Sequence, residues 1–233
     1  MKIIVVTPTY NEKVNIKTFL EEVLAQHPDI HVVIVDDHSP DGTAQLVTQM
    51  SQKNARIHLI ERAGPRGRGY ADRLGMKYAI DQGFDYILQM DADCSHAPVY
   101  IPDFLKAIPT CDVVLGSRLI AGGGIKDRSW LRNVITHLAN TYIRLVLRLP
   151  VKDCTSGYRC YRREVLSSLH LDKFISPGPS LLEEILYACH RKGYVIREIP
   201  IIFYDRKKGG SKLNTKELLR IFIYILQFRL NRT

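Results

Sequence analysis

No stretch of this 233-residue chain is long and apolar enough to cross a bilayer as a helix. The longest uncharged runs are 11 residues, at 42–52 and 133–143, whereas a spanning helix needs ~18 residues. Residues 1–7 contain a single lysine and are followed by Pro8, so the N-terminus does not resemble a signal peptide. The sequence therefore predicts a soluble or peripheral protein.

Cysteine pairs with the spacing of a metal or redox motif are also missing. The five cysteines are odd in number and none forms a C-x-x-C pair, which argues against a disulfide framework and a structural zinc site. This pattern favours a reducing compartment, in which most of the cysteines are small buried hydrophobes.

Charge is divided unequally along the chain. Residues 1–117 hold 11 basic and 15 acidic residues, a balance of −4, whereas residues 118–233 hold 22 and 9, a balance of +13. An acidic half suited to a metal is thus joined to a basic half suited to phosphate or an anionic surface.

Short β-branched strands alternate with helical patterns through the first 117 residues. We predict strands at 3–7, 30–36, 56–61, 86–90 and 113–117, and helices at 15–25, 43–51, 70–82 and 101–108. This order predicts an α/β fold with a mixed, mainly parallel sheet, and the nearly continuous apolar strands predict helices on both faces. Ligands of such sheets bind beyond the carboxyl ends of the strands.

Polar loops follow four successive predicted strands, at 8–12, 36–43, 64–69 and 91–96. Turn chemistry accounts for any one of them, but all four together favour a ligand site. The 64–69 loop lacks the third glycine of G-x-G-x-x-G and does not match G-x-x-x-x-G-K-[ST], which argues against a classical NAD site and a Walker ATPase.

Carboxylates in two of these loops suggest specific chemistry. Asp91 and Asp93 are two residues apart at a strand end, where paired hard oxygen ligands suit Mg²⁺ or Mn²⁺ and leave positions for substrate phosphates. Asp36 and Asp37 could bind a ribose or a base edge; the alternative is an N-cap, which Asp41 or Thr43 could equally provide.

The basic half contains two amphipathic segments. The predicted helix 130–149 has a polar stripe that includes Arg132, Thr136 and Asn140, so it is either a core-packing helix or one that lies at a membrane interface. The helix 218–230 is apolar on nearly every side and needs a subunit, a membrane surface or a further segment to cover it. Between the two, the glycine-rich basic loop 204–212 is either a solvated turn or a loop that closes over a diphosphate.

Several segments together resemble the family 2 glycosyltransferases of the GT-A fold: 8–12 (PTYNE), 35–43 (VDDHSPDGT) and 90–93 (MDAD). A second set is similar to the dolichyl/polyprenyl-phosphate mannosyltransferases: 116–118 (GSR), 153–159 (DCTSGYR), 198–200 (EIP), 205–206 (DR) and 210–212 (GSK). The match runs over nearly the whole chain and implies a Rossmann-like catalytic domain at 1–213, followed by an amphipathic, membrane-facing helix at 214–233.

The resemblance also implies roles for individual residues. A nucleotide-sugar donor, most commonly GDP-mannose, would contact Pro8, Tyr10, Glu12, Val35, Asp37, Ala92, Arg206 and Lys212. Mg²⁺ or Mn²⁺ would be held by Asp91, Asp93 and Ser95, a serine where many members have glutamine. The acceptor phosphate would contact Arg118, Arg132 and Thr136, and the catalytic set would comprise Asp91, Asp93, Arg118 and Arg132. Arg68 stands where many members have lysine.

The chemistry of such a transfer agrees with the residues present. A phosphate monoester is already largely ionised near neutral pH because its second pKa is ~6, so the enzyme needs cations and a metal more than a base. The expected reaction is an inverting hexose transfer to polyprenyl phosphate at the cytoplasmic face of a membrane, with membrane contact or a homodimer through the C-terminal helix.

Two other functions remain open at this stage. Glu183 or Glu184 could act as the base of a family 2 transferase whose acceptor is a sugar hydroxyl, although structural roles fit both glutamates as well. Alternatively, residues 118–233 could form a non-catalytic basic module that binds a membrane or nucleic acid. The leading interpretation includes no nucleic-acid partner.

Overall fold

The computed structural model describes residues 1–205 and 215–230. The strands are β1 (Ile3–Thr9), β2 (Ile30–Asp36), β3 (Ile57–Glu61), β4 (Tyr86–Gln89), β5 (Val113–Ser117), β6 (Gly124–Lys126), β7 (Arg159–Arg162), β8 (Ile196–Pro200) and β9 (Ile202–Tyr204). The helices are α1 (Lys13–Leu24), α2 (Thr43–Ser51), α3 (Arg68–Asp81), α4 (Ile101–Ala107), α5 (Trp130–Leu147), α6 (Arg163–Ser168), α7 (Leu181–Arg191) and α8 (Thr215–Leu230). All five strands predicted from the first half are present, with ends that shift by two residues or fewer.

Seven strands form one mixed sheet in the order β3-β2-β1-β4-β7-β5-β8. All neighbouring pairs are parallel except those made by β7, which runs antiparallel between β4 and β5. β6 and β9 form a separate two-stranded parallel sheet. The strand order reverses between β1 and β4, and a reversal of this kind is where an open α/β sheet leaves a crevice for ligands.

Helices cover both faces of the large sheet, which confirms the predicted layers. Ile3 and Val5 of β1 pack with α1 and α4 on one face, whereas Ile4 and Val6 pack with α3 and α7 on the other. This period of two follows from the alternation of side chains along a strand, and it explains why β1 and β2 are apolar at nearly every position. Gly75 lets α3 approach closely, because a Cβ there would lie 2.4 Å from Val6.

The α5 helix buries two polar residues near its middle and leaves six of its large apolar residues exposed. Thr136 and Asn140 are buried, and Ile143 and Leu147 pack against α7 and α8. The residues that an ordinary core-packing helix would bury are exposed: Trp130, Leu131, Val134, Ile135, Leu138 and Leu145. A soluble surface helix has the opposite orientation, so the core-packing alternative is wrong for this face.

α8 continues the same apolar surface. Ile225 and Phe228 are buried against α5 and α7, whereas Phe222, Ile223 and Leu226 are exposed. No helix within residues 1–205 and 215–230 combines the length and hydropathy that a membrane crossing requires.

The prediction that most of the cysteines are buried is confirmed. All five cysteines are free, four of them are buried, and Cys94 is exposed.

Candidate active site

Three loops meet at the carboxyl ends of β1, β2 and β4, and each contains a strained residue. Asn11, His38 and Cys94 have φ values of 59°, 59° and 65°, in the left-handed region that non-glycine residues rarely adopt. Such conformations persist only where the surrounding contacts fix them, and they concentrate at functional sites.

Asp36 fixes the first two loops to each other. Its carboxylate accepts hydrogen bonds from the Thr9 hydroxyl at 2.9 Å and from the Ser39 amide and hydroxyl at 2.8 and 2.6 Å. The Asn11 amide then donates to the Ser39 hydroxyl oxygen at 2.9 Å. Asp36 is completely buried, so its role is to hold these loops. Gly42 is the N-cap of α2, and Asp41 before it accepts a hydrogen bond from the Thr43 amide at 3.0 Å.

Asp37 follows Asp36 in the sequence and holds the 64–69 loop, which is also rich in glycine. It accepts from Arg62 Nε at 2.9 Å and from the Gly67 amide at 2.8 Å, and Arg62 Nη2 lies 2.6 Å from it. Arg66 of the same loop packs over the Tyr10 ring, 4.6 Å from its centroid. The ends of β1, β2 and β3 therefore form one continuous edge that includes Tyr10 and Asp37.

The loop after β4 presents two carboxylates and a hydroxyl. Asp93 accepts from the Ser95 amide at 3.0 Å and from the Ser95 hydroxyl at 2.6 Å. Asp91 lies against Arg68, whose Nη2 is 2.5 Å from Oδ1 and whose Nη1 donates to Oδ2 at 3.1 Å. Within the part of the chain that the structure describes, no group of three or more histidine, cysteine or acidic residues could hold a metal. Two carboxylates and a hydroxyl are nevertheless the donor set that Mg²⁺ or Mn²⁺ uses when substrate phosphates complete its shell.

His96 connects this loop to the basic half of the chain. Its Nδ1 accepts from the Asp91 amide at 3.1 Å, and its ring packs against Tyr158 and Phe203. Burial lowers the pKa of His96, the charges of Asp91 and Asp93 oppose this shift, and those of Arg68 and Arg118 add to it. Phe203 in turn lies under the Arg118 guanidinium, 5.4 Å away.

Arg118 is held by a buried carboxylate. Its backbone amide, Nε and Nη2 donate to Asp153 at 2.8, 2.7 and 2.6 Å, and Nη2 also donates to the Thr155 hydroxyl at 2.8 Å. Burial by itself would raise the pKa of Asp153, but Arg118 lowers it below the ordinary value. Asn140 of α5 donates to Thr155 at 3.0 Å and so fixes α5 beside this pair.

Two further arginines extend the cationic cluster, which we define as Arg118, Arg128 and Arg132. Arg132 Nη1 donates to Asp205 at 2.5 Å, and Arg128 Nε lies 3.9 Å from the same carboxylate. Arg128 and Arg132 are therefore held by one carboxylate. Burial lowers the pKa of Arg128, and the charges of Arg132 and Arg118 lower it further. Arg128 was not predicted from the sequence. The polar residues of α5 repeat every four positions, and Arg128 lies four positions before Arg132, so this repeat could have found it.

Of the two glutamates at the start of α7, one is hydrogen-bonded to backbone amides and the other is buried. Glu184 accepts from the amides of Ile175 and Ser176, each at 3.0 Å. Glu183 is only 4% exposed, and burial raises its pKa to about 7.

The remaining predicted residues are placed as follows. Pro8 lies within β1, and Glu12 accepts from the Asn15 side chain at 2.9 Å. Val35 and Ala92 have buried side chains, so only their backbone could face a ligand. Thr136 is 8% exposed, and its hydroxyl donates to the Arg132 carbonyl at 3.0 Å. Arg206 and Lys212 lie outside the described residues.

Comparison with known proteins shows what this chain is similar to. The family model described as glycosyl transferase family 2 matches residues 4–169. The chain is 35% identical over 213 residues to the polyprenol monophosphomannose synthase of Mycolicibacterium smegmatis, covering 91% of this chain and 80% of that protein. It is 34% identical over 214 residues to the undecaprenyl-phosphate mannosyltransferase of Micrococcus luteus, covering 92% and 88%.

Solved structures show the same fold. Glucosyl-3-phosphoglycerate synthase from Mycobacterium tuberculosis, in complex with Mn²⁺, UDP-glucose and glycerol 3-phosphate, superposes with a TM-score of 0.68 at 18% identity. The match covers 99% of this chain and 79% of that one. Its complex with Mn²⁺, UDP and glucosyl-3-phosphoglycerate gives a TM-score of 0.70 at 17% identity, which at this level is evidence of fold alone.

Proposed function

The chain belongs to glycosyltransferase family 2, and from that premise we propose that it transfers mannose from GDP-mannose to a polyprenyl phosphate with inversion of configuration. The observation that carries this proposal is the cationic cluster, whose Arg118 is connected to the Asp91 loop through contacts with Phe203 and His96. A site built in this way can bring two phosphate-bearing substrates together.

The cationic cluster is suited to an acceptor phosphate. Its three guanidinium groups face two carboxylates, Asp153 and Asp205, so these five side chains carry a net charge of +1. A bound phosphate monoester with a charge of about −2 near neutral pH would reverse this excess. Arginine is the side chain best suited to phosphate because its planar fork donates several parallel hydrogen bonds.

A phosphate acceptor also fits the absence of an accessible base at the start of α7. A hydroxyl acceptor must lose its proton to a general base, whereas an ionised phosphate oxygen attacks the anomeric carbon directly. Glu184 is engaged by two backbone amides and Glu183 is buried, so neither glutamate is available to a substrate in this arrangement. These contacts favour the phosphate over the sugar hydroxyl.

A divalent cation fits the loop after β4. Asp91, Asp93 and Ser95 would hold it together with the donor diphosphate, a shell of hard oxygen ligands that suits Mg²⁺ or Mn²⁺. When bound, the cation would neutralise the charge that develops on the departing nucleoside diphosphate.

The donor nucleoside would lie along the edge formed by the ends of β1, β2 and β3. Tyr10 offers a ring for contact with the base or the ribose, and the Asp37 carboxylate offers acceptor oxygens beside it. Asp37 has a second role in this proposal, because it also holds the glycine-rich loop through Gly67.

The outward apolar face of α5 and α8 fits a lipid surface. A polyprenyl phosphate is embedded in a membrane, so its enzyme must reach the headgroup layer. Exposed apolar side chains on α5, with Arg144 exposed in its last turn, match a helix that lies in the interface. We therefore place the protein at the cytoplasmic membrane face, in preference to a dimer or to a nucleic-acid-binding role.

The first test is thermal unfolding with GDP, UDP or ADP, each with and without Mn²⁺. A ligand at 100 times its dissociation constant adds ~2.7 kcal/mol, which is worth roughly 5–10 °C in a domain of this size. We expect a metal-dependent shift with GDP. A shift with UDP alone would move the donor to another sugar nucleotide, and no shift with any nucleotide would favour the binding module.

The second test measures transfer of labelled mannose from GDP-mannose into the lipid phase. We expect the Arg132→Ala variant to raise the KM for polyprenyl phosphate by roughly 10- to 100-fold, since a hydrogen bond to a charged group contributes about 1.5–3 kcal/mol. Arg191→Ala, at an exposed arginine in the last turn of α7, is the matched control and should have no effect. Transfer to a glycan hydroxyl, with none to polyprenyl phosphate, would refute the proposal.

A further inference from the structure

We propose that Arg68 is a positioning residue that occupies the metal carboxylate Asp91 when no substrate is bound, and that passes to the donor diphosphate as the cation takes its place. This inference rests on the proposed function, since it assigns a divalent cation to Asp91. Its consequence is that the cation binds weakly by itself and tightly together with the nucleotide.

The first support is the geometry of the pair. Arg68 opens α3, and its Nη2 and Nη1 lie 2.5 and 3.1 Å from the two oxygens of Asp91. A guanidinium that covers both oxygens of a carboxylate competes directly with a cation for them.

The second support is that Arg68 has another carboxylate within reach. Asp72, one helical turn further along, lies 3.3 Å from Arg68 Nε and is completely buried. Arg68 can therefore leave Asp91 and remain paired with Asp72. Such an exchange needs only a rotation of the outer part of the side chain, because Nε is already directed toward Asp72.

The third support is that the backbone around Arg68 is fixed. A Cβ on Gly67 or Gly69 would lie 2.5 or 2.6 Å from the carbonyl oxygens of Pro177 and Ser176, so the loop is pressed against that segment. A Cβ on Gly157 would lie 2.9 Å from Arg68 Nη2. The guanidinium thus occupies a built position beside the Asp91 loop, and it is not a solvated surface charge.

The proposal makes two predictions of opposite sign for the Arg68→Leu variant. Without a resident cation on Asp91, Mn²⁺ alone should bind at least tenfold more tightly. Without its guanidinium partner, GDP in the presence of a chelator should bind at least threefold more weakly. A general loss of structure would weaken both, so opposite shifts separate the proposed role from a merely structural one.

The measurements are electron paramagnetic resonance of free Mn²⁺ and calorimetric titration of GDP. Arg163→Leu is the matched control, because Arg163 likewise opens a helix and is exposed there. Since Arg68→Leu leaves the buried Asp72 unpaired, the double variant Arg68→Leu/Asp72→Asn provides the same test without that uncompensated charge. Circular dichroism checks the fold of each variant.

The outcomes distinguish this inference from the proposed function. If the wild-type protein binds no Mn²⁺ in the presence of GDP, both are wrong. If it does bind Mn²⁺ with GDP, but both Arg68 variants bind Mn²⁺ alone as the wild type does or more weakly, only the role of Arg68 is refuted. Loss of Mn²⁺ binding in Asp91→Asn confirms that the titrated site is this one.

Discussion

Replacing two leucines on the outward face of α5 should sharply weaken membrane binding. Leu138 and Leu145 are 65% and 74% exposed, so they bury little surface within the protein. In the double variant Leu138→Gln/Leu145→Gln, the fold should be retained because surface substitutions of this kind usually change stability by less than about 0.5 kcal/mol.

The magnitude follows from the exposed fractions. Fully burying a leucine side chain contributes ~2 kcal/mol, so the exposed parts of the two side chains should contribute about 1.3 and 1.5 kcal/mol when they enter a lipid interface. Their sum of about 3 kcal/mol corresponds to a loss of roughly 100-fold in the partition coefficient.

Co-sedimentation with lipid vesicles, prepared with and without anionic lipid, measures this coefficient. The matched control is Val14→Gln/Val99→Gln, because these two side chains are 78% and 64% exposed but lie on neither α5 nor α8. If the α5 pair binds vesicles as well as the wild type does, or if the control pair loses as much, the assignment of this face to the membrane is refuted.

Three further predictions concern two buried carboxylates and one exposed thiol. The Asp153→Asn variant should lose about 3–5 kcal/mol of unfolding free energy because it leaves the Arg118 charge unpaired, and a loss below about 1 kcal/mol in denaturant unfolding would contradict this. Glu183 has its pKa raised from 4.5 to about 7, so wild-type stability should fall by about 3 kcal/mol as pH rises through that interval. The unfolding free energy of the Glu183→Gln variant should not show this fall between about pH 5 and about pH 8. An equal fall in the variant would exclude Glu183 as its source. Native protein should react with one equivalent of a thiol reagent, at Cys94, because the other four cysteines are buried, and the Cys94→Ser variant should abolish this reaction. Since burial raises the pKa of Cys94, the reaction should be slow near neutral pH and accelerate as the pH rises.

The regular elements of the first half were predictable because each carries its own local signal. The 30–36 strand is apolar at nearly every position, and the 43–51 helix begins after an Asp-Gly turn. β7 was not predicted, although it pairs with both β4 and β5. Its four residues include two arginines, and the completely buried Arg159 donates to the carbonyls of Cys154 and Ser156 and to that of Leu182 on another helix. No local sequence pattern predicts such a strand.

The site was predictable in its positions and unpredictable in its contacts. The rule that parallel strands present their carboxyl ends at one edge brought Tyr10, Asp37 and Asp91 together correctly. That Asp37 holds Arg62 depends on how the chain folds back over 25 residues, and that Arg68 covers Asp91 depends on the packing of α3 against β4. The basic cluster was predicted as Arg118 and Arg132 by resemblance, but Arg128 joins it only because Asp205 returns beside α5.

The sequence alone determined the α/β order, the polar strand ends, the division of charge and the amphipathic character of residues 130–149, because each of these is written in residues close together along the chain. The tertiary structure decided which face of α5 is covered, since the buried Asn140 is held there by Thr155 of the 153–155 loop. It also decided which carboxylates hold arginines and which face the site. Both depend on contacts between segments far apart in sequence, and the energy of burying a charge is set by the partner it meets there.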